Sequence, residues 1–154
     1  MNCFYESLRI RRELLSPSHG DVAIICYDIA TIHLRSGDDD LAIAYYKATI
    51  RIGRTAVGAK LPDVVKTLQH LGLVHQQRGE LEEALVYFGE ALDIEMTNDM
   101  NGTQHAAAKL LNLIGNIHLQ RANVKDMMTC YAQASRISNA YGQRLDPLLI
   151  SGFD

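Results

Sequence analysis

The feature that most constrains this chain is an internal repeat. Gly37-Asp38-Asp39-Asp40-Leu41-Ala42-Ile43-Ala44-Tyr45-Tyr46 returns 42 residues later as Gly79-Glu80-Leu81-Glu82-Glu83-Ala84-Leu85-Val86-Tyr87-Phe88. Upstream, Asp21-Val22 falls on Asp63-Val64, Ile29 on Leu71, Ala30 on Gly72 and His33 on His75. A third copy follows at an offset of 43, placing Leu111, Ile114, Gly115, Ile117 and His118 on Leu68, Leu71, Gly72, Val74 and His75, and Cys130, Tyr131 and Ala134 on Tyr87, Phe88 and Ala91. Partial copies frame the array. Phe4, Leu8 and Ile10 fall on Tyr46, Ile50 and Ile52, so residues 1–15 read as the second helix of an earlier repeat, and Pro147 reads as the first turn of a truncated one, or of a tail, over 145–154. A period of this length means that each copy is one supersecondary unit whose apolar faces are buried by its neighbours.

Within a copy the apolar residues recur at helical spacing, as in Leu68, Leu71, Val74 and then Leu81, Ala84, Leu85, Phe88, Ala91, Leu92. Each copy is therefore two amphipathic helices. Gly37 and Gly79 end the first helix where a positive φ is needed, and Pro62 falls in a first turn. Acidic residues (Asp38 to Asp40; Glu80, Glu82, Glu83) open the second helices, and Arg51, Arg54 and Arg136 lie near their ends, as the helix dipole favours. The expected helices are 3–15, 21–36, 39–56, 63–78, 81–97, 104–121 and 124–140. The expected fold is all-α: a right-handed superhelical solenoid of antiparallel helix pairs forming one domain over 1–154, with full repeats at 21–56, 63–97 and 104–140. Stacked pairs rotated slightly against one another leave a concave side.

This pattern resembles the tetratricopeptide repeat, whose signature reads here as Leu68, Leu71-Gly72, His75, Ala84, Phe88 and Ala91. The long period, with Pro62-Asp63-Val64 and Asp21-Val22-Ala23 before the first helices, is most similar to the kinesin light chain type of repeat. The resemblance implies a non-catalytic module that holds a protein or peptide on its concave side, where first helices line a groove. Of the paired asparagines common on first helices of that type, only Asn112 is present; the matching pairs are Tyr27-Asp28, Gln69-His70 and Asn112-Leu113. The two-carboxylate clamp of Lys, Asn and Arg found in chaperone-tail binders is absent, its positions including Tyr27, Thr31, His70 and Leu113.

A formal net charge of −3 argues against nucleic acid as the partner, which normally requires a clear excess of Lys and Arg on one face. No apolar stretch is long enough for a membrane span, and Glu6, Arg9, Arg11, Arg12 and Glu13 occupy the place of a leader's apolar centre. Cys3, Cys26 and Cys130, odd in number and without CxxC spacing, suit reduced thiols and a cytoplasmic protein. His33, His75 and His118 occupy one repeat position and read as partly buried packing residues with one satisfied nitrogen, not as metal ligands; no cofactor is expected. Cys26 and Cys130 align with core positions and no nucleophile–base–acid set is evident, so an enzyme is the least favoured class. Arg9, Arg12, Arg51 and Arg54 align between successive second helices and read as helix-end charge.

By repeat position, the groove is lined by Ile24, Tyr27, Asp28 and Thr31, then Lys66, Gln69, His70 and Leu73, then Lys109, Asn112 and Asn116. Lys66 and Lys109 repeat one position, and with Tyr27 and Leu73 they suit an extended peptide carrying an acidic residue and an apolar anchor. Two alternatives accompany this reading. One is an assembly unit that self-associates through the N-terminal half repeat, with Phe4 and Leu8 on its outer face; the other is a sensor whose superhelix shifts on binding a small peptide.

Overall fold

The computed structural model describes the backbone of residues 2–14, 19–55, 61–97 and 103–150, and the side chains of residues 3–11, 13–14, 19–55, 64–97 and 105–140. Among the described residues there are seven α-helices and no strand: α1 Asn2–Leu14, α2 Gly20–Arg35, α3 Asp39–Thr55, α4 Leu61–Gln77, α5 Leu81–Thr97, α6 Thr103–Gln120 and α7 Val124–Ile150. The fold is an all-α helical repeat. Six helices begin and end within two residues of the boundaries expected from the repeat. α7 does not: it runs to Ile150, ten residues past the expected end at 140. The reason lies in the punctuation. Gly37-Asp38 and Gly79-Glu80 couple a glycine to an acidic residue, whereas Gly142 is followed by Gln143, Arg144 and Leu145, all good helix formers.

The turns within the three repeats share one construction. The amide of Asp38 donates to the carbonyl of His33 (3.0 Å), that of Glu80 to His75 (2.9 Å) and that of Asn123 to His118 (2.8 Å). These bonds close a Schellman-type stop, which needs the residue before the donor in the left-handed region. Gly37 (φ 77) and Gly79 (φ 76) supply it without strain, but the third repeat uses Ala122 (φ 55). An L-residue other than glycine there costs roughly 1 kcal/mol. Ala122→Gly is therefore expected to raise stability by about 1 kcal/mol, moving the urea midpoint upward at constant m; an unchanged or lower midpoint would contradict this account of the turn. The residue that follows also starts the next helix: Asp38 Oδ1 accepts from the Leu41 amide and Asn123 Oδ1 from the Asp126 amide, both at 3.3 Å.

The chain divides into two compact units, residues 1–87 and 88–154. In the first, α2 and α3 fold back on each other: Thr31 meets Tyr46 near the turn, and Thr49 donates to the Ala23 carbonyl farther from it. Leu8 of α1 joins Val22, Ala23, Ile25, Cys26, Ile29 and Ile52 in one apolar core, with Tyr45 and Ala48 packed against it. α4 packs on α3. Gly53 makes this close approach possible, since a Cβ there would lie 2.8 Å from a methyl of Val64. In the second unit α6 packs along α7, with Ala108, Leu111 and Ala134 buried together and Leu92 and Ile137 beside them. No described helix is long and apolar enough to cross a membrane.

Candidate functional site: the α2–α4 face of the first unit

Helical periodicity places Ile24, Tyr27, Asp28 and Thr31 on one face of α2, and Lys66, Gln69, His70 and Leu73 on the matching face of α4. The structure joins three of these through a residue of neither helix. Tyr46 of α3 is fully buried, and its hydroxyl lies 3.2 Å from Thr31 Oγ1 and 3.0 Å from His70 Nδ1. Thr31 in turn donates to the Tyr27 carbonyl (3.0 Å). The Tyr27 and His70 rings stack at 5.5 Å with an interplanar angle of 29°, and both sit near Tyr46, at 5.7 and 5.6 Å. Burial pushes the Tyr46 phenol up from its ordinary value, so the hydroxyl stays protonated as a donor.

Around this cluster the face is partly open. Tyr27, Asp28, Thr31, Gln69 and His70 are half-buried and Lys66 is exposed. Ile24 and Leu73 keep 49% and 37% of their surface in water, which makes them apolar side chains available to a partner. In the second unit Lys109, Asn112 and Asn116 are all exposed on α6, and Asn116 Oδ1 accepts from the Tyr131 hydroxyl at 2.6 Å.

The other sequence candidates are occupied structurally. His33 is buried, stacked on Tyr45 at 4°, with Nε2 2.7 Å from the Tyr5 hydroxyl and Nδ1 3.7 Å from Asp38. This pairing fastens α1 to α2. His75 is buried, stacked on Tyr87 and hydrogen-bonded through Nδ1 to Glu80, which with Arg78 holds that carboxyl below its ordinary range. His118 has Asn123 where the other two repeats have an acid, and its buried Nδ1 has no hydrogen-bond partner among the described residues. Arg9, read as helix-end charge, is bound within α1 to Glu6 and Glu13; the Arg12 side chain lies outside the described residues.

The repeat geometry and the aligned residues meet in the comparison with known families: residues 27–97 match the tetratricopeptide repeat model. That segment carries tetratricopeptide repeats. Such repeats as a class mediate protein–protein interaction and scaffolding. A segment of 89 residues, 58% of this chain, is 24% identical to a clustered mitochondria protein homolog of Coccidioides immitis and spans 7% of that protein's length. Among solved structures, BtubC (BKLC) from P. vanneervenii superimposes with a TM-score of 0.78 at 19% identity, covering 98% of this chain and 56% of that one. A putative kinesin light chain with nearly identical repeats from Podosopora anserina gives 0.69 at 12% identity, over 88% of this chain and 64% of that one. The N-terminal domain of stress-induced protein-1 from C. elegans gives 0.64 at 11%, over 84% of this chain and 97% of the domain. These are likenesses of fold, and they include the kinesin light chain type of tetratricopeptide repeat.

In the repeat alignment Tyr46 stands only as the counterpart of Phe88, and its role as a polar hub emerges with the fold. A signal for it exists inside the repeats. The positions of Thr31 and Tyr46 hold Leu73 and Phe88 in the second copy, and Asn116 and Tyr131 in the third. A tyrosine hydroxyl occurs where its partner position offers a polar group, and phenylalanine where it does not, as the cost of an unsatisfied buried hydroxyl demands.

A second overlooked residue is Glu95, which stands at the position of Gly53. It is 9% exposed, Oε2 has no hydrogen-bond partner among the described residues, and burial raises its carboxyl above the ordinary value of 4.5. A raised carboxyl favours the protonated folded form, so its contribution to stability is present below pH 4.5 and lost as pH rises through the folded value. Glu95→Gln is expected to raise stability at pH 7.5 by roughly 1 kcal/mol and to flatten the decline between pH 4.5 and 7.5. Equal denaturation profiles for the two proteins across that range would contradict it.

Proposed function

We propose that the face built by α2 and α4 docks an extended segment of a partner protein that carries an acidic and an apolar side chain. The observation that supports this most is the combination on one face of exposed Ile24 and Leu73, exposed Lys66, and the part-open Tyr27–His70 stack. Apolar anchors supply affinity, while the ammonium and the amide of Gln69 supply orientation. The face is held by the buried Tyr46 hub, so little order has to be created on binding. The role is binding without catalysis, the partner is a protein and neither nucleic acid nor membrane, and the free thiols are in keeping with a cytoplasmic setting. On α6, Lys109, Asn112 and Asn116 form a polar face of the same kind in the second unit.

Selection from a displayed library of random decapeptides tests this reading. Enriched sequences are expected to share an acidic and an apolar residue, and Lys66→Glu or Leu73→Asp is expected to weaken them at least tenfold, or about 1.4 kcal/mol, at unchanged helicity. Enrichment that survives both substitutions would place recognition elsewhere. A second reading rests on α1, where Phe4, Ile10 and Leu14 are 38%, 41% and 78% exposed: self-association through that helix. It requires a mass that rises with concentration in sedimentation equilibrium and falls to one chain with Ile10→Glu.

A further inference from the structure

The hydrogen bonds around Tyr46 admit two proton arrangements without a change of heavy-atom positions. Thr31 Oγ1–H is directed to the Tyr27 carbonyl, which leaves the Thr31 oxygen able to accept. With His70 neutral and its Nδ1 bare, the Tyr46 hydroxyl donates to Nδ1 across 3.0 Å. With His70 charged, Nδ1–H donates to the Tyr46 oxygen and the Tyr46 hydrogen turns to Thr31 Oγ1 at 3.2 Å. The Thr31 and Tyr46 hydroxyl hydrogens and the His70 Nδ1 each have a partner in both states. A buried tyrosine and a threonine thus accommodate a proton on an imidazole, the side chain that ordinarily changes charge between pH 5 and 8.

The surroundings suit the charged form. The stacked Tyr27 ring at 5.5 Å offers its π-face to an imidazolium. Among the described residues, Tyr27 from α2 and Tyr46 from α3 are in ring contact with His70; Asp28 neighbours Tyr27 along α2, and Lys66 lies one turn away on α4 itself. Arg35 of α2 acts on the Tyr46 end of the chain. Asp28 and Lys66 thus place one charge of each sign on the two helices that carry the stack.

We propose that His70 is a proton-operated charge switch in the α2–α4 face: below neutral pH it adds positive charge there and strengthens the hold on an acidic segment while the helices keep their packing. This rests on the docking role proposed above and adds its regulation. His33 and His75, at the turns, are buried and paired with Asp38 and Glu80, whereas His70 is half-buried on the docking face.

The test uses the intact chain in two measurements by NMR. In the first, the imidazole signals of His70, assigned by comparison with His70→Gln, are followed from pH 8 to pH 5. They are expected to titrate with a single midpoint shared by the Tyr46 ring signals, while the amide pattern of α2 to α4 stays folded. In the second, the capped peptide acetyl-Leu-Glu-Glu-Leu-amide is titrated at pH 5.5 and 7.5, a range in which its carboxylates stay ionised. Binding is expected to be roughly fivefold tighter at pH 5.5, as one added partly exposed charge gives, and equal at the two values in His70→Gln. The proposal is overturned if His70 does not titrate in this range, if its titration unfolds α2 to α4, or if the pH effect persists in His70→Gln. Peptide binding that is pH-independent in the unaltered chain overturns the switch and leaves the docking role intact. Normal titration with no peptide binding at either pH overturns the docking role and, with it, the regulation.

Discussion

Replacing Tyr46 with alanine is expected to destabilise the first unit by about 3–5 kcal/mol, the cost of emptying a fully buried aromatic site. Two losses combine. The ring contacts with Tyr27 and His70 vanish, and the cavity lies between α2, α3 and α4, helices whose approach is fixed on other sides by their cores. Tyr46→Phe separates the polar part from the packing. It keeps the ring and removes only the hydroxyl shared by Thr31 and His70, so a loss of about 1–2 kcal/mol is expected. Urea unfolding followed by circular dichroism, with hydrogen exchange at α3 amides to localise the change, measures both. A cost below about 1 kcal/mol for Tyr46→Ala would mean that the hub does not hold α2 against α4.

Gly115→Ala is the second substitution with a large expected effect, and its sign is opposite to what helix propensity alone would give. Alanine in a helix interior is better than glycine by about 1 kcal/mol. At Gly115, however, a Cβ would lie 2.7 Å and 3.0 Å from two ring carbons of Tyr131. The ring must swing away, which breaks its 2.6 Å bond to Asn116, or α6 must back off from α7. Overpacking of this kind costs about 1–3 kcal/mol, so a net loss of about 1–2 kcal/mol is expected. In a Tyr131→Leu background the clash is gone and the same alanine should be neutral or stabilising. A double-mutant cycle reads the difference, and an equal effect of Gly115→Ala in both backgrounds would sink the explanation.

How far the sequence reached can be judged from particular residues. The helix limits were legible because Gly37-Asp38 and Gly79-Glu80 combine a residue that tolerates positive φ with an acid that favours the start of the next helix. No such pair marks the C-terminal end of α7, where Gly142 lacks the acidic neighbour and the helix continues past the expected end at 140. The histidine at each turn was legible as a packing residue, and the acid five positions on, Asp38 or Glu80, was the available clue to its partner. The Asn123 exception then accounts for the unpaired Nδ1 of His118.

On the docking face, register alone assigns Tyr27, Thr31 and His70 to first helices, because a period of 3.6 fixes faces. It does not give distances between helices, so the stacking of Tyr27 on His70 and the convergence of Thr31 and His70 on Tyr46 emerged only with the fold. Glu95 was hidden for a related reason. Its repeat position is glycine in the first copy, and an acidic residue near a helix end ordinarily reads as solvated.

The central claim, that the α2–α4 face is where a partner docks, is tested most directly by site-specific photo-cross-linking. A photoreactive residue at Gln69, on that face, is compared in a cell extract with the same residue at Val86, which is 67% exposed on α5. Cross-linked adducts are expected at position 69, absent at 86 and abolished by Leu73→Asp. Adducts at 86 with none at 69 would contradict the account and move the working surface to the second helices.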